Sequence, residues 1–159
     1  MDLISRENRK DNIIFFGTDG IRGKAETLFT NELLQKLGFL SDQVLPQKKP
    51  ILIGQDSRLS SQRIANELAD GLMASGREVW LLGLCPTPAV AFLIRKYHAA
   101  GGFMISASHN PPEDNGIKIF DSNGEKLSFQ KQSVIEKGLQ AKKQLDPIHE
   151  IIVFVAMTF

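Results

Sequence analysis

The sequence predicts an α/β domain with three layers, in which helices cover both faces of a mixed, largely parallel sheet. Short apolar runs of strand length alternate with amphipathic stretches of helix length, a pattern typical of this class. Polar or glycine-rich loops follow several of the apolar runs, as expected at the carboxyl ends of parallel strands. The 159 residues, of which 42% are hydrophobic, suffice for one such domain with a hydrophobic core.

Apolar runs bounded by turn-forming residues mark the strands. Glycine, proline or a polar turn lies next to each run, so each is short enough to cross one sheet. The predicted strands are Ile13–Phe16, Ile51–Ile53, Val79–Leu82, Gly102–Ser106 and Ile117–Phe120.

Two amphipathic helices are predicted in the first half of the chain. Thr30 is the expected N-cap of the first, since a threonine oxygen can accept a hydrogen bond from a free amide at a helix start. The second is predicted over Ser60–Ser75, and Gly76 follows where a left-handed residue commonly ends a helix. The apolar face of the first helix consists of Leu33, Leu37, Leu40 and Val44.

Two further helices are predicted in the second half. The first has Thr87 as its N-cap and Pro88 at its first helical position, where the missing proline amide costs nothing. This helix is expected to run to about Tyr97. The second is expected to begin after Ser128 and to end near Lys143.

Composition and charge exclude several classes of protein. A net charge of +1 gives no reason to expect a nucleic-acid partner. Met1–Asn12 lacks the apolar core of a secretory signal, and Ile151–Met157 is too short to cross a bilayer, so no membrane partner is expected. The single cysteine, Cys85, cannot form an internal disulfide. Together these features favour a cytoplasmic protein.

Two of the loops after strands carry arginines. Gly17–Gly23 has three glycines at a spacing of three, which permit close approach to a ligand, and Arg22 suits a phosphate. A simple bend with a solvated arginine explains that loop equally well. In Gly54–Arg58, helix capping by Asp56 is the simpler interpretation, and Arg58 could bind an anion or pair with Asp56.

The third loop, Ala107–Gly116, concentrates reactive side chains. It places the hydroxyl of Ser108 next to the imidazole of His109, and Lys118 follows on the returning strand. A nucleophile beside a base is one interpretation, although neighbours in sequence often point apart and no nucleophile-elbow motif is present. A polar turn is the other interpretation, because Asn-Pro and Asn-Gly both initiate turns.

Four motifs resemble the α-D-phosphohexomutases, over about Ile13 to Leu139. The longest and most specific is ISASHNPPEDNGIK, which ends at Lys118, and FGTDGIRG opens the resemblance. GQDSR and GLCPTPAVAFL also match. The opening motif is most similar to the phosphoglucosamine mutase branch of the family. The motifs occupy Phe16–Gly23, Gly54–Arg58, Gly83–Leu93 and Ile105–Lys118.

The resemblance implies roles for six residues. Ser108 matches the serine that carries the transferred phosphoryl group and whose phosphate ligates Mg²⁺. Positions around that phosphate match Arg22, His109 and Lys118. Proton exchange with the sugar hydroxyl falls to Lys118 rather than Arg22, because a guanidinium is a poor base. Two supporting positions, implied to bind substrate or phosphate, are Arg58 and Asn110.

The resemblance also implies a reaction and a domain plan. The reaction converts glucosamine 6-phosphate to glucosamine 1-phosphate through a sugar bisphosphate, with Mg²⁺ as cofactor, and supplies amino-sugar precursors of peptidoglycan. Residues 1–145 match the family's domain I, whereas residues 146–159 match no family motif. Domains II–IV have no counterpart in these 159 residues, so we expect the chain to be inactive alone.

Three alternatives remain open at this stage. A sister mutase acting on mannose or glucose phosphates would share the same motifs, since the sugar is read elsewhere in the family. A non-catalytic remnant that binds anions or a partner would also retain them. A serine hydrolase using Ser108 and His109 is the third alternative. The unmatched tail has its own alternatives: an out-of-frame segment, a truncation or an edge strand.

Overall fold

A computed structural model describes residues 14–45, 48–141 and 155–156. Strands and helices alternate through most of these ranges. The strands are β1 (Ile21–Lys24), β2 (Ile51–Gln55), β3 (Val79–Leu84), β4 (Gly101–Ile105), β5 (Asp114–Phe120) and β6 (Val155–Ala156). The helices are α1 (Ala25–Leu28), α2 (Asn31–Ser41), α3 (Ser61–Ala74), α4 (Thr87–Tyr97) and α5 (Phe129–Gln140).

The strands form one sheet in the order β1-β5-β4-β2-β3-β6. Strand β2 is central and pairs in parallel with both β3 and β4, and β3 pairs in parallel with β6. Strand β5 pairs antiparallel with both β1 and β4. The sheet is therefore mixed and largely parallel, which confirms the prediction.

Alternate side chains of the central strands enter two separate cores. Ile51 and Ile53 of β2 pack into the larger core, together with apolar residues of α2, α3 and α5. Leu52, between them, faces the other way and packs with Val90 and Ile94 of α4. This alternation follows from the pleat of a strand. Helices cover both faces, so the predicted three-layer arrangement is confirmed.

Capping residues fix the ends of three helices where the sequence placed them. The hydroxyl of Thr30 accepts a hydrogen bond from the Leu33 amide at 3.2 Å at the start of α2. Ser128 does the same for the Lys131 amide at 3.4 Å at the start of α5. After α3, Gly76 has φ +88°, the left-handed conformation that glycine adopts at no steric cost.

The first strand differs from the prediction. Residues 14–16 of the predicted strand Ile13–Phe16 have no strand structure, and Ile13 lies outside the described residues. The edge strand is β1 instead, inside the segment expected to be a loop. Gly17 and Gly20 form a tight turn, bonded through both backbones at 2.9 and 3.3 Å. The chain can therefore pair with β5 only after this turn.

The boundaries of the later helices also differ slightly. Pro86, with φ −72° and ψ 152°, is the N-cap of α4, so Thr87 is its first helical residue rather than its cap. The Pro86 carbonyl accepts a hydrogen bond from the Ala89 amide at 3.0 Å, which starts the helix one residue early. Helix α5 ends at Gln140, and the predicted end near Lys143 lies outside the described residues.

Two residues of the predicted tail are described. The backbone of β6 pairs with β3 in parallel, with Val155 opposite Trp80 and Ala156 opposite Leu81. The remainder of residues 146–159 lies outside the described ranges. None of the helices within those ranges combines the length and the apolar character needed to cross a bilayer.

Candidate functional site

The loops that follow β2 and β4 meet at one edge of the sheet. These strands are parallel neighbours, with Gln55 opposite Ile105, so both chains leave the sheet side by side. We call residues 106–113, which follow β4, the serine loop. The Asp56 amide donates to the Ile105 carbonyl at 2.9 Å and joins the two loops at their start.

Ser108 lies exposed in the serine loop with an unusual backbone conformation. Its φ is +53°, in the left-handed region that residues other than glycine rarely adopt. The Ser108 amide donates to the hydroxyl of Ser106 at 3.1 Å. The side-chain hydroxyl is consequently presented to solvent on a backbone held at both sides.

Arg58 donates every hydrogen of its guanidinium to oxygen atoms of the protein. Its Nε bonds to the Asp56 carboxylate at 3.1 Å, and its two terminal nitrogens bond to four backbone carbonyls. A guanidinium has five N–H donors, so these five bonds leave none for another acceptor. The four carbonyls are those of Ser108 (3.1 Å), Asn110 (2.9 Å), Pro111 (2.5 Å) and Asp114 (3.0 Å).

A polar network holds Asp56 in turn. Its carboxylate accepts from the Ser61 hydroxyl at 2.7 Å and from the Arg58 amide at 3.1 Å. Partial burial acts to raise the pKa of Asp56. Hydrogen bonds from Ser61, from the Arg58 amide and from Ser106, together with the Arg58 charge, outweigh burial and hold that pKa below its ordinary value.

Asn115 extends this network into the sheet. Its side chain is fully buried at the start of β5. The amide nitrogen donates to the hydroxyls of Ser60 and Ser61 at 2.8 and 3.0 Å, while its oxygen accepts from the Gly116 amide at 2.8 Å. Helix α3, the second loop and the return strand are thereby tied together behind the serine loop.

Two of the predicted cationic residues lie on the same face of the sheet. Arg22 is paired opposite Gly116, and Lys118 lies two residues further along β5. Diagonal neighbours of an antiparallel pair are roughly 7–8 Å apart. Ile21, Ile117 and Ile119 point into the larger core, so Arg22 and Lys118 point to the opposite face.

The contacts of Arg22 leave part of its guanidinium available. One terminal nitrogen lies 3.3 Å from the Asn110 side-chain oxygen, and the other lies 3.9 Å from the Asp19 carboxylate. The buried Nε has no hydrogen-bond partner in the part of the chain that the structure describes. Asn110 also donates to the Asp114 carboxylate at 3.1 Å, which fixes its side chain toward Arg22.

Lys118 borders a cleft of about 190 Å³. The cleft is also lined by Thr18, Asp19 and Gly20, and the rings of Phe16 and Phe120 give it an apolar wall. Across residues 14–45 and 48–141, no hydrogen bond or ion pair engages the Lys118 ammonium. The cleft also contains the Asp19 carboxylate and Lys126, so within it the Lys118 ammonium is the group without a partner among the described residues that suits an anionic ligand.

The structure thus brings together most of the predicted site residues. Hydrogen bonds link Ser108 and Asn110 to Arg58, and Asn110 to Arg22. His109 is exposed in the serine loop, and among the described residues no hydrogen bond joins it to Ser108. A nucleophile and base already paired, as a serine hydrolase has them, is therefore not what the described residues display.

Sequence reasoning missed the network behind the serine loop. Helix capping was the simpler interpretation of Asp56, and pairing with Arg58 was the alternative. The structure shows the pairing, in which the Asp56 carboxylate orients Arg58. Ser61 and Asn115 were not singled out. The signal that could have found Asn115 is a polar residue at the start of a strand whose later positions are apolar, because buried polar side chains need partners.

The metal implied by the resemblance finds few ligands here. The described residues contain no group of three or more His, Cys, Asp or Glu side chains that could hold a metal ion. Mg²⁺ prefers six oxygen ligands and commonly takes some of them from phosphates and water. The described part of the chain therefore lacks a cluster of side chains that could hold the ion by itself, and a phosphate on Ser108 would be one ligand that it could add.

Comparisons with known proteins agree with the geometry. A phosphoglucosamine mutase of Prochlorococcus marinus is 61% identical over 141 residues, which are 89% of this chain and 30% of that protein. A phosphoglucosamine mutase of a Synechocystis species is 59% identical over 133 residues, covering 81% and 28%. The chain thus spans less than a third of the length of these curated relatives.

A solved structure assigned to the phosphomannomutases, from Thermus thermophilus, superposes with a TM-score of 0.75 at 31% identity. The superposition covers 91% of this chain and 33% of that protein. The family model for phosphoglucomutase/phosphomannomutase, alpha/beta/alpha domain I, matches residues 14–146. The chain therefore belongs to the phosphoglucomutase/phosphomannomutase family and carries its domain I.

Proposed function

We propose that this chain supplies the phosphoserine domain of a phosphoglucosamine mutase, with Ser108 as the group that gives and retrieves the phosphoryl group. The single observation that carries the proposal is the exposed Ser108 hydroxyl, held on a fixed loop at the sheet edge where Arg22 and Lys118 also lie. Cations around a transferring phosphoryl group stabilise its charge, the main requirement of phosphoryl transfer.

The proposed chemistry has two balanced halves. In the first, the bond between phosphorus and Ser108 Oγ breaks as a sugar hydroxyl oxygen bonds to phosphorus. The hydroxyl proton passes through Lys118 to Ser108 Oγ. In the second half, the other phosphoryl group of the bisphosphate moves to Ser108, and the proton returns to the freed sugar oxygen. Arg22 and His109 stabilise the charge on the transferring group.

Mg²⁺ is part of the proposal, with the Ser108 phosphate as one of its ligands. When bound, the ion would neutralise charge on the phosphoryl oxygens. The other ligands would come from outside the described residues, because those residues hold no carboxylate cluster. The Ser108 phosphate would also make the chain a phosphoprotein.

The proposed substrates are hexosamine phosphates and the corresponding bisphosphate. The names and identities of the curated relatives, 61% and 59%, favour glucosamine phosphates over the mannose or glucose phosphates of a sister mutase. We propose that the chain acts in the cytoplasm and that the reaction supplies amino-sugar precursors for peptidoglycan. We also propose residues 1–145 as domain I and residues 146–159 as an atypical tail.

The complete reaction belongs to a longer polypeptide in this proposal. The relatives are more than three times as long as the matched region, so most of their length has no counterpart here. Positioning of donor, metal and acceptor supplies about 7–11 kcal/mol of a barrier. A chain holding only the donor loop would lack most of that contribution. We therefore expect it to accept a phosphoryl group on Ser108 slowly and to be inactive alone as a mutase. A non-catalytic remnant would retain the fold and lose even the transfer to Ser108.

Phosphorylation of Ser108 tests the proposal directly. The purified chain is incubated with glucose 1,6-bisphosphate and Mg²⁺, and intact mass and peptide mapping locate the phosphate. We expect one phosphoryl group on Ser108 in the unaltered chain and none in Ser108→Ala. In Ser106→Ala the phosphate should still be found on Ser108. Label on Ser106, or label retained by Ser108→Ala, would contradict the assignment. An assay for glucosamine 1-phosphate should detect no turnover near the ordinary range of about 1–1,000 per second.

A further inference from the structure

We propose that Arg58 is a positioning residue that holds the serine loop and Ser108 in their reactive shape, and that it does not bind substrate phosphate. This inference rests on the proposed function, which assigns phosphoryl transfer to Ser108 in the serine loop. It reverses the implication of the resemblance, which placed Arg58 among residues that bind phosphate or substrate. The contacts of Arg58, the conformation of Ser108 and the arrangement of Asp56 carry it.

The donor count separates the two roles. All five N–H groups of Arg58 are engaged, one with Asp56 and four with carbonyls of residues 108–114. A phosphate could be bound only by giving up one or more of these bonds. The Arg58 side chain is 12% exposed, and its bonds to the Asn110 and Asp114 carbonyls are partly buried, so these two carbonyls would find little water if they lost their donor.

The conformation of Ser108 requires such a clamp. A left-handed residue other than glycine costs about 1–2 kcal/mol, and the surrounding structure must supply that energy. The Ser108 backbone is held by the bond from Arg58 to its carbonyl, by the bond from its amide to Ser106, and by the turn that the Asn110 amide closes on the Ala107 carbonyl at 3.0 Å. Losing the Arg58 bonds would free this turn to shift against the rest of the domain and would move the Ser108 hydroxyl.

The guanidinium has a shape that lysine cannot copy. Its planar fork reaches carbonyls at four positions of the loop at once, while Asp56 fixes its orientation from behind. An ammonium at the same position keeps the charge but has three donors on a flexible stem. The two roles therefore predict different consequences for Arg58→Lys.

Three variants separate positioning from phosphate binding. Arg58→Lys keeps the charge, and Arg58→Gln removes it. Arg63→Gln is the matched control, because Arg63 also donates to backbone carbonyls, those of Phe29 and Ala25, and none of its hydrogen bonds to described residues goes to the serine loop itself. Arg63 and the loop are linked through the Ala25 amide, which donates to the carbonyl of Glu113 at the end of the loop. Amide hydrogen exchange of residues 106–115 reports the loop, and phosphorylation of Ser108 by glucose 1,6-bisphosphate reports its chemistry.

We expect both Arg58 variants to speed exchange in the loop by roughly tenfold or more. The maximal phosphorylation rate should fall by about 100-fold, the effect of a small misplacement, while the half-saturating bisphosphate concentration stays within about twofold. Arg63→Gln should leave all three quantities unchanged. If Arg58→Gln fails to fold, Arg58→Lys decides the question.

Unchanged loop exchange with a raised half-saturating concentration would overturn the inference and restore a phosphate-binding role. The inference would also be overturned if Arg63→Gln sped amide exchange in the serine loop as much as the Arg58 variants do. The faster exchange would then reflect a general loss of stability. If the unaltered chain takes up no phosphate, the proposed function fails. The exchange measurement still decides whether Arg58 clamps the loop, so the two failures are distinguishable.

Discussion

At the scale of single residues, Ser108 combines an exposed hydroxyl with a backbone conformation that side chains usually avoid. His98, the residue that ends α4, has a similar φ of +52°. At a helix end this conformation is common, because it satisfies the last carbonyls. In the serine loop it serves a turn instead: Ser108 and His109 are the central residues between the Ala107 carbonyl and the Asn110 amide, which are hydrogen-bonded at 3.0 Å.

Replacing Ser108 with glycine should stabilise the chain. Glycine removes the penalty of about 1–2 kcal/mol for a left-handed residue with a β-carbon. It also makes the unfolded chain more flexible, which lowers the stability by about 0.5–1 kcal/mol. We expect the free energy of unfolding, measured in urea, to rise by roughly 0.5–1 kcal/mol. Ser108→Ala, which keeps the β-carbon, should give no gain, and His98→Gly serves as a positive control. A stability loss in Ser108→Gly would show that the conformation is not strained.

Because the pKa of Asp56 is lowered in the folded chain, the stability that Asp56 contributes depends on pH in the acidic range. A carboxyl whose pKa is depressed in the folded state contributes stability above its unfolded pKa, and that contribution is lost as pH falls through the folded pKa. We therefore expect the stability difference between the unaltered chain and Asp56→Asn to be fully present at neutral pH and to shrink toward about pH 3. Urea unfolding across this range measures it, and a constant difference would contradict the linkage.

At the scale of elements, α2 and α3 pack at very short range. A β-carbon on Gly71 would lie 2.0 Å from the Gln35 carbonyl oxygen, and one on Gly38 would lie 2.4 Å from that of Leu68. Both obstacles are backbone atoms, which cannot rotate away. This close contact sets how α3 lies against the sheet, and the start of α3 carries Ser61 of the network behind the serine loop.

Gly71→Ala should destabilise the chain despite the better helix propensity of alanine. Propensity contributes about 1 kcal/mol in favour of alanine, but separating the two helices should cost more, so we expect a net loss of about 1–3 kcal/mol. Gly138→Ala is the matched control, since its added carbon meets only side-chain atoms of Leu40. Urea unfolding compares the two, and equal effects would mean that helix contact at Gly71 is not tight.

At the scale of the whole molecule, most of the layout could be predicted from periodicity. The alternation of apolar runs and amphipathic segments predicted β2, β3, β4 and α3 to within one or two residues. The predicted apolar face of the first helix reached Val44, whereas α2 ends at Ser41 and a 3-10 turn covers Asp42–Val44. Edge strand β1 was not predicted, because Ile21–Lys24 is short and contains a glycine. Its strand character comes from pairing with β5, a tertiary contact that has no local signature.

The candidate site, like the fold, could be predicted from the sequence only in part. The motifs around Ser108 and Lys118 predicted which loop is the candidate site, because a hydroxyl and an ammonium are groups that phosphoryl transfer can use. The role of Arg58 could not be predicted, since four of its five partners are backbone carbonyls, which every residue has. The left-handed Ser108 also has no sequence signal, because glycine or asparagine usually marks that conformation.

The bonds from Arg58 to the serine loop join positions 50 to 56 residues apart in the chain. They form only when β2 and β4 already lie side by side, so a nascent or unfolded chain has no clamp and no presented serine. Phosphate can then be accepted on Ser108 only by a molecule whose domain has folded. A chain that carries phosphate there would therefore be one in which this domain had formed.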